Sequence, residues 1–548
     1  MSRFLVGWGT LVLAVVPLLG QEAPFVSGGG VVNAASFTPN SLPGGGIAQG
    51  SIFSIFGRDL GPTTPVQVAS FPLGASLQGV SIQVRQGSTT LDAIPLFVLA
   101  SQINAIMPSA TPVGQVTLRV SYNGRAGNWV PVTVVAHAPG VFTATGIGKG
   151  WTIFQNFIDP GNQPLNSGRT AAKPGQVGTL WLTGAGAIRG ADGNSPPVGD
   201  HPYNVEIFVG GRRVTSKLYS GRAPGISGLD QFVFAVPADA PTGCFVPIYV
   251  RVNGAVSNST TMAIMPEGGA CADAHNPVSA EMIKGGKVVQ AVLSRIATDS
   301  GVIPGVNLRL VTDVASVRTR EEPGGVFAFD PFLAAPPAGA CTSYTFGGNV
   351  IRDPIQFASP GRTLALGDLA ADSGASSVKL GPRRAGLISE TIGGGFPVKP
   401  PFFVPTATAS LRASGGAGGG AFVAPVPSGQ TLDGAKLAAL TLLDREGSAA
   451  VQWTGQPNVS ASISGAVYHL ATDSSAYFLC VSELGASSFT IPDYVLAGLP
   501  ATEDVAPAGS ALSLFSAWPV FTSTTTADQI RIFTARQNLY GQAIISVQ

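Results

Sequence analysis

Four cysteines and four histidines are the residues of this chain whose types most readily do chemistry. Cys244, Cys271, Cys341 and Cys480 form an even set without close spacing. That suits disulfides rather than a zinc site, whose ligands usually come in near pairs. Cys244 opens the β-prone run Phe245 to Val252, Asn253-Gly254 turns the chain, and the return run ends near Ile264 with Cys271 just beyond. An antiparallel return carries Cys271 back to the end of the hairpin that holds Cys244, which predicts a Cys244–Cys271 bond. Cys341–Cys480 is left by subtraction, with two buried thiols as the alternative. His137, His201, His275 and His469 have no metal-ligand spacing and no H-E-x-x-H pattern. No G-x-S-x-G elbow is present, so a hydrolase of the usual α/β type is disfavoured.

Other candidates are weaker. Asp192-Gly193-Asn194 with Asp200 could offer oxygen ligands to Ca²⁺ in a Gly/Pro-rich loop, although Asp and Asn turns explain the same residues. Glycoside hydrolysis needs two facing carboxylates. Glu321 and Glu322 would point to opposite faces of a strand, leaving Asp313, Asp330, Asp353 and Glu390 as isolated acids. The run Gly415 to Gly420 leads into strand-like residues and not into the helix N-terminus a phosphate loop requires, so it reads as a loop. Among the tryptophans that could stack on sugar rings, Trp129 is also a candidate. Trp181 and Trp453 sit in apolar strand contexts, whereas Trp151 and Trp518 lie beside Gly or Pro and are expected in exposed loops.

The elements that must position these residues are strands. Val80, Ile82 and Val84 alternate with polar residues, as do Val116, Leu118 and Val120, the period of a half-buried strand. Asn123-Gly124 and Asn253-Gly254 are hairpin signals. Gly (71) and Pro (43) together make about a fifth of the 548 residues, short of the about 25–30% of low-complexity chains. Charged residues are 11% and the net charge is +1, so no basic face is available for nucleic acid. Residues 1–20 read as a signal peptide: Arg3, an apolar run Leu11 to Leu19, then Gly20. The run is short for a membrane span and no later stretch is long and apolar enough to be one. The expectation is an exported protein, secreted or held in the periplasm or at the cell surface.

A repeat organises the first half. Gln102, Pro108, Pro112 and Gly114 match Gln231, Pro237, Pro241 and Gly243. After one inserted residue, Val116, Val120, Asn123, Gly124 and Asn128 match Val246, Val250, Asn253, Gly254 and Asn258. Because these positions punctuate the backbone, the pattern predicts two tandem copies of one β-domain, 31–137 and 138–266. Gln115 stands where Cys244 does, so the first copy lacks the disulfide. Residues 21–30, with Gly28-Gly29-Gly30, read as a linker, as do 267–277. The stretch 278–548 is mainly β, with Lys287 to Ile296 open between strand and helix. Leu440 to Leu443 and Ala449 to Trp453 read as the arms of a hairpin, and Pro492-Asp493 as the start of a helical turn. The Pro-rich Pro397 to Pro405 suggests a boundary giving 278–405, a β-rich domain, and 406–548, a C-terminal β-sandwich; a single large domain is the alternative.

Val31-Val32-Asn33-Ala34-Ala35-Ser36-Phe37 and Gly50-Ser51-Ile52-Phe53-Ser54-Ile55-Phe56-Gly57, with Gln102-Ile103-Asn104 and Ser257-Asn258, resemble a repeat of acidobacterial (Solibacter-type) secreted proteins. More loosely, Gly339-Ala340-Cys341-Thr342, Trp453-Thr454-Gly455 and Ser488-Phe489-Thr490-Ile491-Pro492 resemble a C-terminal region of such proteins. The resemblance implies paired IPT/TIG-like, immunoglobulin-fold sandwiches over residues 31–266 and carries over no functional residue. The fold class expected is therefore all-β, with tandem immunoglobulin-like sandwiches followed by one or two further β-sandwich domains. The function expected is non-enzymatic, structural, adhesive or scaffolding. The alternatives are a carbohydrate-binding protein or a hydrolase with its site in 278–548. The partner would be an extracellular protein or glycan, and no cofactor is required beyond the Ca²⁺ candidate.

Overall fold

The computed structural model describes residues 22–303, 306–348, 350, 361–381, 386–394, 400–403, 408–432, 442–501, 511–543 and 546–547. The signal segment 1–20, Asp353 and most of the Pro397–Pro405 stretch lie outside the described residues. The protein is all-β. Short helices at Pro277–Lys284 and Asp493–Leu496 are exceptions, the second at the expected helical turn.

Strands between residues 25 and 135 pair among themselves. Thr89–Val98 is long enough to serve two layers, pairing Gln102–Ile106 near one end and Val80–Gln86 near the other, so one sheet folds over a core of Phe53, Ile82, Val84, Leu118 and Val120. Residues 25–30 of the expected linker are in fact strand. Phe25–Asn33 pairs with Ile52–Arg58, with a register shift between Val26 and Val31. The glycines make the irregularity possible: Gly29 has φ +69°, and a Cβ on Gly30 would lie 2.6 Å from the Phe56 carbonyl oxygen. Only glycine takes such positions without strain.

Strands between 140 and 264 make two sheets around Phe154, Leu180, Ile207, Phe232, Phe234 and Val250. Asn123-Gly124 and Asn253-Gly254 both adopt positive φ and close equivalent hairpins, Tyr122 opposite Arg125 and Val252 opposite Ala255. The matching asparagines also do the same work. Asn128 donates to the Val26 carbonyl and accepts from its N–H, and Asn258 does the same with Val141. Each side chain pairs like an extra strand residue with the first strand of its own domain.

Beyond residue 277 the boundary near 405 does not divide the structure. Gly286–Ile303 runs parallel to Arg531–Ala543, from Val288 opposite Arg531 to Asp299 opposite Gln542. The two strands lie inside a ten-stranded sheet that also holds Ala340–Gly347, Ala461–His469 and Ser474–Val481. That sheet is common to two cores. One includes Val289, Leu293, Leu411 and Ile532, and the other Ile463, Phe478, Val495 and Phe515. Lys287 to Ile296 is strand. The hairpin expected across 440–453 does not form: Ala449–Gln452 pairs with Ser488–Ile491, and Leu442–Leu443 with Ser546–Val547. Pairing with Ser488–Ile491 buries Val451 in the core together with Ile491 and Val495, a gain that a two-stranded hairpin in water cannot match.

Both disulfides are present. Cys244–Cys271 closes the end of the second-domain hairpin with Cα atoms 5.2 Å apart, and Cys341–Cys480 joins directly opposed residues of neighbouring strands. The segment 267–277 is tied down by the first bond and by the Cys271 N–H, which donates to the Gly168 carbonyl. Replacing Cys244 and Cys271 together by serine releases a loop of 27 residues. The expected loss is about 3–4 kcal/mol in urea unfolding; an unchanged midpoint would count against the bond.

Candidate functional site

The structure disperses the candidate chemistry instead of gathering it. His137 hydrogen-bonds the Ala185 carbonyl through Nδ1 and Asn253 through Nε2, His201 contacts Asp230, His275 lies in the loop ahead of the Pro277–Lys284 helix, and His469 contacts Thr472. Among the described residues no three His, Cys, Asp or Glu side chains group to hold a metal ion. Asp192, a Ca²⁺ candidate, accepts from the Ser109 N–H and hydroxyl, and Asp200 accepts from the Ser220 N–H. Asp313 receives a two-pronged bond from Arg295 at 2.8 and 2.9 Å, Asp330 is paired to Arg318 at 2.9 Å, Glu321 is paired to Arg362, and Glu390 accepts from the Gly381 N–H. Gly415 to Gly420 is the loop between the paired strands Ala409–Ala413 and Phe422–Val426, and no helix follows it.

Trp151 corrects the sequence reading. It is fully buried, its ring centroid lies 5.1 Å from that of Phe245, and its Nε1 donates to the Ala328 carbonyl. The flanking glycine marks close packing there, not exposure. Trp518 is partly exposed and donates to the His275 carbonyl. Trp181 is partly buried and Trp453 packs on Phe515. Trp129 stands on the outer face of the first domain with the guanidinium groups of Arg85 and Arg119 at 4.6 and 4.5 Å from its ring.

What the structure does gather is a set of interdomain contacts. Asp230 is fully buried and accepts from Arg222 Nη1 and the Ala185 N–H, while His201 lies 2.9 Å away. Arg222 Nη2 donates to the Gly50 carbonyl of the first domain at 2.8 Å and to that of Gly186. Asn33, in the first-domain motif, donates to the Ala138 carbonyl across the same junction. On its other side the second domain meets the third region. Phe208 stacks on Tyr494 at 4.4 Å, Tyr249 lies 4.9 Å from Tyr494, and Arg251 bridges Glu206 and Asp493. The strand Gly243–Val252 is buried along nearly its whole length, because its inward residues fill the domain core while Tyr249 joins the core of the third region.

These contacts enclose a cavity of about 270 Å³ where all three units meet. Its lining includes Ser36, Thr38 and His137 from the first domain, Lys149 from the second, and Ser343, Tyr344 and Tyr494 from the third. No Asp or Glu is among the described residues that line it. Lys149 belongs to the loop Gly146-Ile147-Gly148-Lys149-Gly150-Trp151, fixed from both sides. A Cβ on Gly148 would lie 1.9 Å from the Ser36 carbonyl oxygen, and one on Gly150 would lie 2.6 Å from the Phe329 ring. Both glycines have positive φ, Asn258 donates to the Gly148 carbonyl, and the Thr261 N–H donates to that of Gly150. The Lys149 ammonium sits 5.2 Å from the centroid of the Phe346 ring, no carboxylate pairs with it among the described residues, and its partial burial lowers its pKa from the usual 10.5 to about 8. Burial pushes the hydroxyls of Tyr344 and Tyr494 upward, out of the neutral range. Neither Lys149 nor the Arg222–Asp230 pair was found by scanning for motifs. The signal that was there is a lysine set between two glycines and followed by tryptophan.

No family model matches the chain, and no curated protein does. Among solved structures the chain is similar to SGBP-B from a complex xyloglucan utilization locus in Bacteroides uniformis, at 9% identity, covering 90% of this chain and 93% of that one, with a TM-score of 0.15. It is also similar to the Sidekick-1 immunoglobulin domains 1–4, at 11% identity, covering 88% of this chain and 94% of that one, with a TM-score of 0.12.

Two predictions follow from the buried charges. Asp230→Ala leaves Arg222 buried without its anion, and a loss of about 3–5 kcal/mol is expected in chemical denaturation; a loss below about 1 kcal/mol would show that water replaces the carboxylate. Lys149 acts with the opposite sign. Its folded-state pKa lies below its unfolded value, so between about pH 8 and 10.5 the unfolded chain holds more protons and stability rises with pH. Below pH 8 the full deficit applies. Lys149→Met is expected to gain about 1–3 kcal/mol at pH 7, a gain that shrinks as pH climbs to 10. Urea unfolding at pH 7, 8.5 and 10 measures both the sign and the window.

Proposed function

We propose that the protein is an exported, non-enzymatic β-sandwich scaffold whose units are held in one fixed arrangement. The observation that carries this reading is the strand Gly243–Val252, whose sheet is covered by its own core on one face and by the third region on the other. A domain packed in this way cannot swing on a linker without exposing Phe208, Tyr249 and Tyr494 to water. A spacer or adhesive rod benefits from such stiffness, because fixed geometry removes the ordering cost of engaging a partner. Two disulfides suit an oxidising compartment. Among the described residues no helix is long and apolar enough to cross a membrane. Asp313 and Asp330 are both held by arginines, so these two acids are committed to structure. We read residues 31–266 as two IPT/TIG-like repeats on the strength of their shared punctuation and of the equivalent Asn128 and Asn258 bonds.

The stiffness is measurable. Small-angle scattering of the full chain should fit one rigid shape, and calorimetry should give one transition spanning the second domain and the third region. Tyr494→Ala combined with Arg251→Ala should split that transition and broaden the scattering profile. A wild-type chain that already scatters as a flexible string would overturn the scaffold reading.

A further inference from the structure

We propose that the cavity at the three-way junction is a binding site for a small carboxylated sugar, a uronate, whose carboxylate pairs with Lys149.

The case rests on how the lysine is held. A surface lysine needs no special loop, yet here two positive-φ glycines, each without room for a Cβ, carry Lys149 to the junction. Trp151 anchors the loop from below through its bond to the Ala328 carbonyl. The ammonium faces the Phe346 ring and has no hydrogen-bond or ion-pair partner among the described residues. A partly buried cation without a counter-ion is costly, and a bound anion is what would compensate it.

The rest of the wall selects the kind of anion. Ser36, Thr38 and Ser343 are among the lining residues, and hydroxyl side chains suit a ligand bearing several hydroxyls. Tyr344 and Tyr494 line the cavity beside these residues. With no carboxylate in the lining, an amino acid or peptide terminus would leave its ammonium unpaired. A cavity of about 270 Å³ lies just below the about 300 Å³ at which small-molecule pockets usually begin, so a single sugar unit fits the scale better than a chain. The wall also includes Ala340–Gly347, the edge strand of the third region's sheet, whose main chain adds polar groups of both kinds.

Calorimetric titration of the full chain with D-galacturonate, D-galactose and acetate tests the site. Galacturonate should bind saturably and at least about tenfold more tightly than galactose, the worth of one charge-assisted bond. Lys149→Gln should weaken it by a similar factor while leaving galactose binding unchanged. Acetate should bind more weakly than galacturonate, because it lacks the hydroxyls. Equal affinity for galactose and galacturonate, undiminished binding by Lys149→Gln, acetate binding as tightly as the uronate, or no saturable binding of galacturonate would each overturn the proposal. Should Lys149→Gln fail to fold, acylation mapping on the wild type replaces it. Galacturonate should slow modification of Lys149 at least about fivefold, as expected for near-saturation of the site, and leave Lys173 and Lys287 unaffected. Equal rates with and without the sugar would sink the idea.

Discussion

A sheet with one face in its own core and the other against a neighbour has no face left for water, and everything else in this molecule adapts to the sheet in that position. Its strand Gly243–Val252 differs from its counterpart in the first domain, Gly114–Tyr122, mainly on the outward side. Thr117, Arg119 and Ser121 become Pro247, Tyr249 and Arg251. The inward residues Val116, Leu118 and Val120 become Val246, Ile248 and Val250, still apolar. The first copy therefore alternates between buried and partly exposed residues, and the second is almost continuously buried. One repeat faces solvent with Trp129 between two arginines, and the other uses the same face to seat the third region.

Buried charges set the angles of this assembly more than they stabilise it. Desolvating Arg222 and Asp230 cancels much of what their attraction supplies, so such pairs add little net stability but penalise misplacement strongly. Arg222 reaches Gly50 and Gly186 together, so a small rotation between the first two domains would strand a guanidinium. Arg251 does the same between Glu206 and Asp493, where partial exposure softens the penalty. The residues that carry the family resemblance sit at the first of these joints. Asn33 binds the Ala138 carbonyl, and Gly50 has φ +67° with a Cβ there falling 2.8 Å from Arg222 Nη2, which gives a physical reason for an Asn and a Gly at those places.

Local features were legible in the sequence. The two Asn-Gly turns, the alternation in Val80–Gln86 and the Cys244–Cys271 closure depend on residues close along the chain, where spacing decides geometry. Features set by distant segments were not. Nothing near Lys287 says that its strand will lie parallel to one beginning at Arg531, since the information is divided between two runs far apart. Ala449–Gln452 misled for the same reason, its true partner being Ser488–Ile491. Trp151 misled because a glycine beside a tryptophan suits both an exposed loop and a loop squeezed between domains. Asp313, Asp330 and Glu321 looked isolated because the arginines that hold them, Arg295, Arg318 and Arg362, lie well apart from them along the chain.

Lys149 brings these points together. Holding a cation where no carboxylate answers it lowers stability, and a chain selected for stability alone would place methionine or glutamine there. The glycines on either side add a further cost, since positive-φ glycines lose more freedom on folding than other residues. Both costs fall on one loop, at the one place where three separately folded surfaces converge. Elsewhere arginines are matched to carboxylates at Asp230, Asp313 and Asp330, whereas Arg536 rests over the Phe403 ring without an ion-pair partner among the described residues. Lys149 differs in lining the junction cavity, which gives an anion from outside the chain a place to meet it.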